Sequence, residues 1–361
     1  MPIAFRKSRD ERDWAGRRQE LTLFGQKAYL VEAADLRADH RWSETSSIEN
    51  IRQDLRFRSY ADHLVDIVRD EGISLIHAFG AFHQRGLIAA FAGAKCGVPH
   101  MLSLRGVDLE TRMFDAMVAP LQASILSTSL IVCVSDDARR LLEGVFRPSC
   151  PVRVIRNHFD PSLFDESIAE LPELPDDPGS VIGCFGKFRR VMGLDFLIDA
   201  VAELAQRRKI TLLLGGSIQK REAEYYEARI AESPACAHIV RIGSVPHRAM
   251  LGYLKRCSVA VYPSISDASP NKILEAMYAR APIVSTRVGG IPELVSDGKE
   301  ALLVEARSSS ALARAVEKLL DDPMFAQALT RAAFDRVTGE HAIDAERDLW
   351  VEVYLQALRL A

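Results

Sequence analysis

Between residues 258 and 294 the chain alternates so tightly that few architectures accommodate it. SVAVYPS (258–264) is a short apolar, β-branched run bounded by Pro263 and polar residues, the pattern of a buried strand. Ser269 before Pro270 signals a helix start, because serine caps free N–H groups and proline loses nothing at the first helical position. The spacing predicts a helix from about Pro270 to Ala281, with Ile273, Met277 and Tyr278 on its apolar face. Pro282 ends it, PIVSTRV (282–288) supplies the next strand, and Gly289–Gly290 turn into a second helix opened by Pro292 and Glu293. Strand, helix, strand and helix in succession belong to an α/β sheet, at the edge where such sheets bind ligands.

The same alternation runs along most of the chain. ISLIHAFG (73–80), PHMLSLRG (99–106), SLIVCVS (129–135) and VRVIRNHF (152–159) read as strands, and RGLIAAFAGAKCG (85–97) as a helix ended by Gly97. A stretch rich in proline and acid, 157–179, has no clear period and reads as a connection. SVIGCFG (180–186) opens a second series: strands at 210–216 and 238–244, helices at 193–207, 219–232 and 247–256, and a capped amphipathic helix at 308–322. The expected architecture is α/β, with two Rossmann-like, doubly wound domains facing a cleft. The first spans 1–156 and the second 180–340, and a terminal segment, 341–361, is a helix able to cross back to the first domain.

Composition narrows the function. With 48% hydrophobic and 26% charged residues the chain has ordinary globular composition, and a net charge of −3 argues against a nucleic-acid partner held by counterion release. Arg6, Lys7, Arg9, Arg12, Arg17 and Arg18 are interleaved with Asp10, Glu11, Asp13 and Glu20, which reads as a solvated helix face. Six cysteines fall in no C-x-x-C pair, so neither zinc nor a disulfide framework is indicated, and no metal site is expected. A reducing cytoplasm fits this usage. His77, His83 and His247 follow apolar stretches and read as hydrogen-bonded structural residues.

The chemistry concentrates in SDASPNKILEAM (266–277). Asp267 precedes Glu275 by eight positions, and Asn271 and Glu275 share one helix face. Two helix N-termini nearby carry unpaired N–H groups that attract phosphate, so an anionic ligand with hydroxyls suits the region.

GKFRRVMGLDFLIDA, YPSISDASPNKILEAM, APIVSTRVGGIPELVSDGKEALLV, VIRNHFDPSLF and SLRGVD stand in the order and rough spacing of a known family. Over about residues 73–340 the chain resembles the retaining nucleotide-sugar glycosyltransferases of family 4, which have the GT-B fold. That resemblance implies a metal-independent transferase with no cofactor. It would move a sugar from a nucleotide-diphosphate sugar to a saccharide or lipid-linked acceptor, in cell-envelope or exopolysaccharide synthesis, with peripheral contact at the inner membrane face. It further implies that Asp267 holds sugar hydroxyls and Glu275 the ribose hydroxyls. Backbone around Ser269, Pro270 and Asn271 would reach the sugar or phosphates, and Lys187, after Gly186, would neutralise the diphosphate.

Several positions depart from that pattern. Asp267 and Ala268 stand where the family has Glu and Gly, and Met192 stands where a Lys usually precedes the glycine at Gly193. Arg189 or Arg190, in the same loop, could replace the lost cation, since guanidinium binds phosphate bidentately. Arg105 replaces a common His and can still hydrogen-bond a sugar hydroxyl or phosphate, with Asp108 matching an acidic position. The usual opening strand and glycine-rich turn are not found, so the first domain reads as abbreviated.

Blander readings exist for each residue: Asp267 and Asn271 as loop and helix-start stabilisers, Lys187 and Arg190 as solvated loop cations, Arg105 and Asp108 as a structural salt bridge. Two alternatives follow. One is a non-catalytic relative that binds a nucleotide sugar or a partner transferase. The other is a phosphorylase or epimerase on the same architecture, the former identified by pyridoxal absorbance.

Overall fold

The computed structural model describes residues 3–7, 17–23, 26–33, 55–80, 85–110, 118–164, 174, 177–244 and 246–360. Contacts divide the chain into two compact units. One holds Met1–Val134, Ala138–Ile155 and Leu349–Ala361; the other holds Ser135–Asp137 and Arg156–Asp348.

In the first unit, β1 (Ile3–Lys7), β2 (Arg17–Leu23) and β3 (Gln26–Ala33) form a sheet in the order β1-β3-β2, β1 parallel and β2 antiparallel to β3. This corrects the reading of the basic N-terminus as a helix face without an opening strand. Ile3 pairs with Tyr29 and Phe5 with Val31, so β1 is set by a partner strand distant in sequence that its own short pattern does not reveal, while β2 pairs with β3 directly after it, Leu23 opposite Gln26. Residues 8–16 and His83 lie outside the described residues.

Four parallel strands follow in sequential order: β4 (Ile76–Phe79), β5 (His100–Leu104), β6 (Leu130–Cys133) and β7 (Val152–Val154). The last is shorter than the 152–159 run suggests. Helices Leu55–Asp70, Arg85–Cys96 and Val118–Ser127 bury Phe57, Ile67, Leu87 and Ile88 against this sheet in one core. Met101, Leu130 and Val132 form a smaller core with Val353 and Ala357, which belong to the terminal helix Ile343–Arg359. His77 is hydrogen-bonded as expected, 2.7 Å from Ser103 Oγ and 3.0 Å from Tyr354 Oη.

The second unit is built on six parallel strands: β8 (Ser180–Phe185), β9 (Ile210–Gly215), β10 (Ile239–Gly243), β11 (Val259–Tyr262), β12 (Ile283–Thr286) and β13 (Leu302–Val304). Their spatial order is β10-β9-β8-β11-β12-β13, which doubles back on itself between β8 and β11. Ligands of doubly wound sheets sit at that reversal, beyond the strands' carboxyl ends, where neighbouring loops part to opposite faces. Both faces are covered. Leu194–Ala205, Ala223–Ala231 and Ser309–Asp321 bury one core, while Met250–Lys255, Asn271–Tyr278 and Pro323–Gly339 bury the other. Among the described residues no helix is long and apolar enough to cross a membrane.

Buried histidines give the fold a pH dependence. Burial holds His100 and His341 down to about 4, with Arg336 adding to the effect on His341. An unfolded histidine takes its proton near 6.5. Between these values the unfolded chain binds more protons, so the stabilisation is full above about pH 6.5 and is lost as pH falls toward 4. At pH 5 each histidine is expected to cost on the order of 1–2 kcal/mol. Thermal melts from pH 7.5 to 4.5 should show the decline, and His341→Gln should flatten it; equal slopes for both proteins would refute the assignment.

Candidate functional site

At the sheet reversal, three segments meet: the loop after β8 (186–193), the loop after β11 (263–270), and the turn after β12 (287–290). They are fastened by backbone. Ile265 N–H donates to Val191 O at 2.7 Å and Gly290 N–H to Asp267 O at 3.1 Å. Gly290 permits an unusually close approach, since a Cβ there would lie 1.9 Å from Ala268 O. Gly193 turns at φ +68° with its Cα side closed by Pro263 O. The peptide on either side of Asp267 is therefore held in place before any ligand arrives.

From this loop the helix Asn271–Tyr278 departs, Pro270 being its cap residue. Ser269 does not cap it, contrary to expectation: the Ser269 hydroxyl is buried without a hydrogen-bond partner, and its carbonyl accepts from Asn157 Nδ2 at 2.7 Å. The second expected helix is only one turn, Ile291–Leu294, too short to add an appreciable dipole.

Glu275, on the same helix, has its side chain 10% exposed, and its Oε1 lies 3.0 Å from His247 Nε2. Beneath it, burial and then the Glu275 carboxylate push the Tyr262 phenol well above its ordinary range. Asp267 is 22% exposed and pairs with Lys272, whose ammonium lies 3.0 Å from Oδ2. Lys272 also reaches Ser264 Oγ at 3.1 Å and Met192 Sδ at 3.2 Å. The sequence reading passed over Lys272. The signal was present: a lysine three residues before Glu275, on a helix whose neighbouring loop has Met192 in place of a cation.

Lys187 is exposed beside Gly186. The Arg190 guanidinium stacks 4.7 Å from the Tyr225 ring centroid, and its backbone N–H donates to Glu222 Oε2 at 2.8 Å. Asn271 is exposed at the first turn of its helix. Arg105 and Asp108 belong to the other unit, where the buried Asp108 carboxylate accepts the Arg105 backbone N–H at 2.8 Å, and the Arg105 guanidinium lies over Phe79. A cavity of about 320 Å³ opens beside the site, at the carboxyl ends of β8 to β10, lined by Phe188, Leu214, Ile218 and Arg241. It contains neither carboxylate.

An acid pair, an ammonium and a helix N-terminus thus lie in the loop and helix at the reversal of a doubly wound sheet, the place where such sheets hold their ligands. Residues 179–322 match the family model of glycosyl transferases group 1. The chain is 27% identical over 263 residues to an uncharacterized glycosyltransferase of Methanocaldococcus jannaschii, a match covering 71% of this chain and 68% of that one. Further curated relatives are matched over 50 to 63% of their length. Among solved structures, sucrose-phosphate synthase from Thermosynechococcus elongatus superposes with a TM-score of 0.75 at 18% identity, covering 99% of this chain and 89% of that one. Anabaena HepE in complex with UDP-glucose superposes with a TM-score of 0.70 at 18% identity, covering 82% of each. These likenesses show the GT-B type of fold.

Proposed function

We propose that the protein is a retaining, metal-independent glycosyltransferase that takes a sugar from a nucleotide-diphosphate sugar and passes it to a saccharide or lipid-linked acceptor. The carrying observation is that Asp267, Lys272 and Glu275 stand on one loop and helix at the sheet reversal, within the segment that matches the group 1 family model, with Asp267 and Lys272 paired. HepE, similar in fold, binds UDP-glucose, which supports a nucleotide-sugar donor here.

In this reading the buried Glu275 carboxylate accepts the two ribose hydroxyls, a strong and oriented contact. Asp267 accepts hydroxyls of the transferred sugar. Cleavage leaves a nucleoside diphosphate with growing charge, which Lys187, Lys272 and the N-terminus of Asn271–Tyr278 stabilise. Retention follows if the acceptor attacks on the face the phosphate leaves, a phosphate oxygen taking its proton. Arg105 of the other unit would serve the acceptor. The reaction belongs to cell-envelope or exopolysaccharide synthesis in the cytoplasm, with peripheral membrane contact where the acceptor is lipid-linked.

One observation favours a non-catalytic relative instead: Asp267 is already engaged by Lys272. A thermal-shift panel of UDP, GDP and ADP and their sugar conjugates, paired with a donor-hydrolysis assay, tests both. One nucleotide series should raise the melting temperature by several degrees, and its sugar conjugate should be hydrolysed slowly. Binding without hydrolysis or transfer selects the non-catalytic reading. No stabilisation by any nucleotide rejects both.

A further inference from the structure

We propose that Lys272 is the residue that receives the donor's diphosphate, moving off Asp267 as the donor enters, so that one ion pair couples recognition of the phosphates to recognition of the sugar. This rests on the donor-site reading above and adds to it a residue and an order of events.

Lys272 is 12% exposed, and an ammonium has three N–H donors and a strong demand for hydration. Two of its neighbours are good acceptors, Asp267 Oδ2 at 3.0 Å and Ser264 Oγ at 3.1 Å. The third is the Met192 thioether at 3.2 Å, a weak acceptor. The Tyr262 ring lies 5.6 Å away and gives only a face of π density. One side of this cation is therefore poorly satisfied, and an anionic oxygen would replace sulfur with gain.

Placement supplies the rest. Lys272 is the second residue of Asn271–Tyr278, so its charge adds to the positive end of that helix. Met192 lies in the loop after β8 and Lys272 in the segment after β11, on the two sides of the sheet reversal where a diphosphate would sit. The Ile265–Val191 hydrogen bond and the packing of Gly193 on Pro263 keep these loops from drifting apart. Asp267 is the complementary half. While paired with Lys272 its carboxylate is oriented and its charge balanced. Once the ammonium turns to phosphate, the same carboxylate regains acceptor capacity for the sugar hydroxyls. Sugar contact is thereby conditional on phosphate contact.

The Met192–Lys272 contact makes the idea testable by exchange. Isothermal titration with UDP, GDP and ADP, and with their monophosphates, would be run on the unaltered protein, Lys272→Met, Met192→Lys/Lys272→Met and Glu275→Gln, each with its melting temperature in the absence of nucleotide. Lys272→Met should lose roughly ten- to hundred-fold in affinity for the favoured diphosphate and much less for its monophosphate. The double variant, which returns an ammonium from the opposite loop, should recover most of that loss. If Lys272→Met binds diphosphate normally while Glu275→Gln does not, the donor site stands and the role of Lys272 is overturned. Equal losses for mono- and diphosphate, with a lowered melting temperature and no recovery in the double variant, make Lys272 a structural ion-pair partner only. No binding by the unaltered protein overturns the donor reading and this inference together.

Discussion

Glu275→Gln is expected to lower kcat/KM for the nucleotide-sugar donor by about ten- to a hundred-fold, nearly all of it in KM. The side chain is almost fully buried at the end of an apolar core that includes Ile273, Met277 and Tyr262. Glutamine keeps that shape, so packing changes little. It removes the charge and one of two acceptor oxygens, and it turns an N–H₂ group toward either the ribose or His247 Nε2, now 3.0 Å from Glu275 Oε1. A hydrogen bond to a charged group is worth about 1.5–3 kcal/mol, which sets the size of the loss. Ribose stays bound while the sugar–phosphate bond breaks, so the contact is common to ground and transition states and its removal raises KM rather than lowering kcat. The melting temperature without nucleotide should stay within about two degrees of the unaltered protein's, while the nucleotide-induced rise disappears. Retained stabilisation by the same nucleotide would move the ribose contact elsewhere.

What the sequence disclosed of this site depended on how local each cause was. The strands from β4 to β12 were legible because runs such as SLIVCV and SVAVY are β-branched and apolar on both faces, as strands covered by helices must be, whereas the three-residue β13 was not. The helix at Asn271–Tyr278 was legible too, although Ala281 lies beyond its end and Arg280 already has φ +56°. The helices Leu55–Asp70 and Val118–Ser127 were not found. Ser269 was misread because its carbonyl is anchored by Asn157, 112 residues away, and no local rule contains that bond. His247 was read correctly as hydrogen-bonded, but its partner, Glu275, is visible only once β10 and β11 are placed. Lys272 was missed because helix propensity already explains a lysine in a first turn. Only the joint absence of a cation at Met192 would have drawn attention to it.

Gly290→Ala should destabilise the unit containing residues 156–348 by about 2–4 kcal/mol and abolish measurable nucleotide-sugar binding at ordinary concentrations. Gly290 has φ −85°, which any residue adopts, so no backbone strain is involved. The cost is contact alone: the added methyl would lie 1.9 Å from Ala268 O, and a carbonyl in the middle of a clamped loop cannot yield as a flexible side chain does. Relief requires the Ala268 carbonyl or the Gly290 backbone, whose N–H donates to Asp267 O, to shift, and either disturbs the carboxylate that Lys272 holds at 3.0 Å. The same substitution at Gly144 provides the opposite sign. That glycine is exposed in the helix Asp136–Phe146 with nothing within 4 Å of an added methyl. Alanine there should stabilise by about 0.5–1 kcal/mol, through the smaller entropy lost on folding. Calorimetric melts of both variants, with and without the stabilising nucleotide, separate these effects. A Gly290→Ala protein that melts and binds like the unaltered one would show that Asp267 is not held by the Gly289–Gly290 turn. The rigidity on which its pairing with Lys272 depends would then have to come from the loop after β8 alone.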